Sequence, residues 1–160
     1  MELRQTLIDI SNDARGWLKA WAADFTQSQA KDSGGTKTNP IAWQLGHVAS
    51  VEAEVYRLFS GEFGAVPEEV RAVCASGCPR PTSETRYPPL SELWELLERT
   101  HVQVLSLVET ADVDLDRPPV EENRFFRSLG QAIYEAALHE NYHVGEIGTL
   151  RKALDMKPIG

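Results

Sequence analysis

The sequence is poor in the features that build disulfide frameworks, membrane spans and sheets. Only two cysteines occur in 160 residues, Cys74 and Cys78, at a spacing that fits neither the redox nor the zinc-ribbon pattern. They are expected to be free thiols of a reducing compartment. No apolar run approaches the roughly 18 residues of a membrane span, and no secretory core follows Met1-Glu2-Leu3-Arg4. A cytoplasmic protein without membrane contact is expected. Positive charge is also scarce: 16 Lys and Arg against 24 Asp and Glu give a formal net charge of −8. Such a field repels phosphate backbones, so nucleic acid is not an expected partner. The two-residue alternation of half-buried strands is missing, which excludes sheet architectures.

Apolar residues recur instead at helical steps. Leu3, Leu7, Ile10, Ala14, Trp17, Leu18, Trp21 and Phe25 predict a first helix that ends between Gln27 and Ser33. Asn39-Pro40 reads as an N-cap with proline at the first helical position, opening a second helix whose row Ile41, Leu45, Val48, Val55, Phe59 runs to a stop at Gly61. Residues 62–90 hold five of the nine prolines and both cysteines. They predict a long excursion with one short helix near Glu68 to Val73, the kind of segment that serves as a lid or pocket wall. A third helix follows Pro88-Pro89 along Leu93, Leu97, Thr100, Val104 and Val108 and fades at Ala111-Asp112. Beyond a connection over 112–127, Ser128-x-x-Gln131 matches a capping box, and Ile133, Ala136, Val144, Ile147, Leu150 and Leu154 carry a fourth helix. The expectation is an all-α four-helix bundle with long crossover connections, forming one domain over residues 1–160.

The chemistry concentrates in the four histidines, His47, His101, His139 and His143. His139 and His143 stand four apart on the fourth helix, about 40° apart around its axis, so both imidazoles leave one side. Ala136, Ile147, Leu150 and Leu154 place that side toward the interior. His47 faces inward from the middle of the second helix. Three neutral imidazoles from two helices predict one divalent cation with an open fourth position, the arrangement of catalytic rather than structural zinc. His139-Glu140-Asn141-Tyr142-His143 also matches H-E-x-x-H. Glu146 and Thr149 occupy the positions where the extended protease motif needs glycine and histidine, and there is no sheet to bind a peptide, so a metalloprotease is not expected. Glu140 is predicted to be buried and therefore partnered, either in a structural pair or orienting a ligand imidazole.

Two stretches carry a resemblance. Asn39-Pro40-Ile41-Ala42-Trp43-Gln44-Leu45-Gly46-His47 and Leu138-His139-Glu140-Asn141-Tyr142-His143-Val144-Gly145-Glu146-Ile147, with Leu150-Arg151, resemble the second-helix and last-helix signatures of the DinB-like superfamily. The resemblance implies a four-helix bundle, often dimeric, with zinc, nickel or a similar ion on His47, His139 and His143. Relatives include bacillithiol S-transferases and mycothiol-dependent maleylpyruvate isomerases. Where many members carry glutamine after the glycine, this chain has Glu146. The resemblance thus implies a metal-dependent transferase, isomerase or hydrolase-like enzyme that uses a low-molecular-weight thiol on a small electrophile. The alternative is a non-catalytic stress-response module that binds a metal or small ligand. Arg124, Arg127 and Arg151 are candidates to hold a carboxylate of thiol or substrate. His101 is expected in core or edge packing, and Trp17, Trp21, Trp43 and Trp94 as core or interface filling. Phe125-Phe126 either wall the pocket mouth or pack on a loop. Cys74 and Cys78 would approach the metal only if the long excursion folds over it.

Overall fold

The computed structural model describes residues 2–159. Among them are five α-helices and no strand: α1 (Leu3–Ala22), α2 (Ile41–Ser60), α3 (Glu68–Cys74), α4 (Leu90–Ser106) and α5 (Leu129–Ala153). The four long helices form the expected bundle, and α3 is the short helix of the excursion.

Each long helix buries the row that its sequence sets. α1 turns Leu7, Ala14, Leu18 and Ala22 inward, α4 turns Leu93, Leu97 and Val104, and α5 turns Ile133, Ile147 and Leu150. α2 is buried on most of its circumference because it packs against α3, α4 and α5, whereas α1 leans chiefly on α5. The core is divided. One cluster joins Leu18, Ile41, Leu45, Leu93, Leu97, Ile147 and Leu150; the other joins Leu7, Val55, Leu58, Phe59, Val104, Leu129 and Ile133. Chain order through the clusters fixes the directions: α1 and α5 run from the second cluster to the first, α2 and α4 the opposite way. Because α2 and α4 are parallel, the chain between them must return along the bundle, which is why residues 61–89 are long.

Between the clusters lies a charged layer with side chains from all four long helices. Arg15 of α1 donates from Nε to Glu140 of α5 at 2.6 Å, from Nη2 to Glu52 of α2 at 2.9 Å, and from Nη1 to the Leu97 carbonyl of α4 at 2.6 Å. Thr100 Oγ1 donates to Glu52 at 2.6 Å. His101 sits against Glu52 at 3.3 Å and Asn12 at 3.1 Å. Burial of these groups demands partners, and the layer supplies them from different helices.

Helix ends depart from the sequence reading in three places. α1 stops at Ala22, because Thr26 opens a separate 3-10 turn, its N–H donating to the Gln29 side chain at 2.9 Å; Phe25 reaches the core from outside the helix. α2 is capped by Pro40 rather than Asn39, with no side-chain cap; the Asn39 carbonyl accepts from the Gln44 side-chain amide at 3.2 Å. α4 ends at Ser106, and Val108 packs from the following turn. Gly61 does close α2, at φ 80°, a left-handed conformation that glycine adopts without strain. At α5 half of the expected capping box forms: Ser128 Oγ accepts from the Gln131 N–H at 3.4 Å, while the Gln131 side chain takes the Arg127 N–H at 2.9 Å.

Candidate metal centre

α2 and α5 pack together beside the charged layer and bring His47, His139 and His143 to one point. His139 Nε2 lies 3.2 Å from His47 Nε2 and 3.0 Å from His143 Nε2, and all three donor atoms lie within 4.8 Å of one another. Bound nitrogens about 2.0–2.1 Å from one zinc ion would stand roughly 3.0–3.4 Å apart, depending on coordination number. The two measured separations fall in that window.

The other face of each ring decides which nitrogen is free. His47 Nδ1 meets the Cys74 carbonyl at 2.6 Å, and a carbonyl only accepts, so Nδ1 carries the proton and Nε2 keeps its lone pair. His143 Nδ1 meets the Gln44 side-chain oxygen in a short contact. Gln44 is held in that orientation because its NH2 donates to Glu146 at 3.0 Å and to the Asn39 carbonyl at 3.2 Å. With both Nδ1 atoms protonated, the Nε2 lone pairs of His47 and His143 converge. This is the tautomer a metal requires, fixed by outer partners of the kind that accompany metal-bound histidines. Trp43 stacks on the His47 ring at 4.4 Å and 16° and limits its rotation.

Electrostatics agree with the donor geometry. Burial lowers the His47 pKa against the raising effect of the Cys74 hydrogen bond. Burial and the charge of His47 bring His139 down to about 4; burial and the two other imidazoles bring His143 down to about 3. Near neutral pH all three rings are uncharged and able to coordinate.

The second histidine–carboxylate group, Glu52, His101 and Glu140, also lies within ligand spacing. There the Arg15 guanidinium bridges both carboxylates and already stands where a cation would be held. Burial acts to raise Glu52, but hydrogen bonds from His101 and Thr100 and the charge of Arg15 outweigh it and leave it below the usual carboxylate range. Burial, together with the Glu52 charge, raises Glu140 to about 7. Glu140 is therefore the structural partner of Arg15 and does not orient an imidazole. It also points away from the position a protease base would hold, so the H-E-x-x-H match ends at its two histidines. His101 is packed and hydrogen-bonded in this layer, apart from the triad.

A cavity of about 640 Å³ opens at His139, with Ala136 and Leu58 on its apolar side and Phe125, Phe126 and Arg124 among its walls. The Phe125-Phe126 pair thus lines the cavity. Arg124 stacks over Phe125 at 4.9 Å. The wall residue Arg57 is committed to Glu54 and Glu121. Arg127 is exposed and does not line the cavity. Arg151 corrects the sequence reading: it is buried, and its guanidinium is taken up by Asp24 and by the Trp21 and Lys157 carbonyls, so it ties the C-terminal segment to α1 and is not free for a ligand carboxylate.

Groups other than the three imidazoles also enter the site. The excursion folds over the triad, and Cys74 contributes its carbonyl rather than its thiol, which burial pushes up to about 12. Both cysteines are free. Trp43 packs on the core as expected and also walls the site by stacking on His47, whereas Trp17 is exposed.

Comparison with known proteins agrees with this architecture. The model of the DinB superfamily matches residues 11–147, a span that contains all three histidines and the whole charged layer. The chain belongs to the DinB superfamily. No curated protein matches it. No helix is long and apolar enough to cross a membrane among the described residues.

Proposed function

We propose that His47, His139 and His143 hold one divalent cation, zinc or nickel, and that the protein is a thiol-dependent transferase or isomerase acting on a small electrophile. The observation that carries the reading is the convergence of three Nε2 atoms, two with their tautomer set from behind, at the wall of an enterable cavity. The chemistry such a cation supplies is Lewis acidity toward a ligand in an open position, which brings a thiol's ionisation into the neutral range.

The chain's own residues do the rest. The Cys74 carbonyl and Gln44 hold the two rings in place, so no reorientation is needed when a ligand arrives. Ala136, Leu58 and Phe126 give the cavity an apolar side that sheds water and favours an uncharged electrophile. Arg124 is the cavity arginine without a carboxylate partner among the described residues, and it is placed to hold an anionic group of thiol or electrophile at the rim.

Metal content of the purified protein, followed by thiol consumption against a panel of electrophiles, tests the reading. One ion per chain and thiol-dependent turnover, both lost in His47→Ala, are expected. One ion per chain without turnover on any electrophile would leave the non-catalytic binding module as the function.

A further inference from the structure

A second cavity, about 610 Å³, lies where residues 31–40 meet residues 80–87 and shares no lining residue with the one at His139. Its wall runs against the chain's composition. Lys31, Lys37 and Arg80 line it, and no aspartate or glutamate does, although acids outnumber bases by 24 to 16 overall. None of the three cations has a carboxylate partner among the described residues. The adjoining Asp32 carboxylate lies outside the lining and accepts the Gly34 N–H at 2.8 Å. Lys31 donates to the Ser83 carbonyl at 3.1 Å, which ties the two loops together.

Hydroxyl groups complete the lining: Ser33, Thr36, Thr38, Thr82 and Ser83. Tyr87 also lines the cavity, but its hydroxyl is enclosed on the core side and out of a ligand's reach.

We propose that this cavity binds a small phosphate ester, with Arg80 and Lys37 meeting the phosphoryl oxygens and the Thr82 and Ser83 hydroxyls beside them. A planar guanidinium, point-charge ammonium groups and hydroxyl donors are the groups that recognise a phosphoryl oxyanion. The volume suits a molecule of sugar-phosphate size. A long polyanion is disfavoured by the net charge of −8. The inference is independent of the metal reading, since the two cavities share no lining residue.

The test is an amide-shift titration of labelled protein at fixed ionic strength with glucose 6-phosphate, using glucose and gluconate as controls. Saturable shifts at Lys31, at residues 36–39 and at Thr82 and Ser83 are expected with the phosphate ester alone. Lys37 and Arg80 are exposed, so Lys37→Ala/Arg80→Ala should keep the fold and weaken binding by about tenfold or more. Absence of saturable shifts, an equal response to gluconate, unchanged binding by the double variant, or shifts confined to Arg124 and His139 would overturn the proposal.

Discussion

An imidazole binds metal through whichever nitrogen is left without a proton, so the atoms behind the triad matter as much as those within it. Gln44 is the clearest case. It offers its oxygen to His143 because its NH2 is held by Glu146 and Asn39. Replacing it by leucine removes the acceptor while keeping bulk, and metal affinity in a chelator competition should fall by about 10–100-fold. Glu146→Gln still presents an oxygen to the Gln44 amide and should bind metal much as the parent does; Glu146→Ala should not. The triad was legible in the sequence because two inward histidines at i,i+4 and a third on an inward helix face leave a geometric trace. The acceptors were less so. The Cys74 carbonyl is a backbone group and has no side-chain signature at all. Gln44 lies one turn from His47 on the same face of α2, and a fully buried amide there was the one signal available. Arg151 was misread because an arginine's partner, here Asp24 on a distant segment, is set by tertiary packing.

At the scale of elements, α3 is what closes the site. It packs on α2 where Gly46 leaves room: a Cβ added at Gly46 would lie 2.6 Å from the Cys74 Sγ and 3.2 Å from its Cβ. Gly46→Ala should therefore push α3 away and carry the Cys74 carbonyl off His47. Overpacking of this kind costs about 1–3 kcal/mol, and thermal denaturation should show that loss together with weaker metal binding. Helical period predicted the four long helices and the short fifth one, since each buries a regular apolar row. It overran the ends of α1 and α4, because Phe25 and Val108 continue the apolar rhythm from turns that pack on the same core. Periodicity reports burial, and burial outlasts the helix at both places.

Across the whole molecule, the charged layer sets how the bundle responds to mutation and pH. Arg15→Met would leave Glu52 and Glu140 buried without their shared cation, and urea unfolding should show a loss of about 3–5 kcal/mol. Acid acts on the histidines. Their folded pKa values lie below the unfolded value of 6.5, so the unfolded chain binds more protons as pH falls, and the stability they contribute above pH 6.5 is lost on the way to about 4 and 3. Glu140 acts oppositely: raised from 4.5 to about 7, it contributes stability below 4.5 that is lost as pH rises through 7. Three groups against one give metal-free protein that weakens between about pH 6.5 and 4. Glu140→Gln, which removes the opposing slope, should weaken more steeply on acidification, as denaturant titrations at a series of pH values will record. Bound metal should be released over the same acid range, because protons compete for the Nε2 lone pairs.

The measurement that reaches the central claim most directly is an anomalous difference map of crystals of the purified, metal-bearing protein, collected on both sides of the zinc and nickel edges. A single peak about 2.0–2.2 Å from the Nε2 atoms of His47, His139 and His143, with at least one further coordination position not filled by the protein, is the result predicted here. A map with no peak between those rings, or with the ion lodged instead among Glu52, His101 and Glu140, would contradict it.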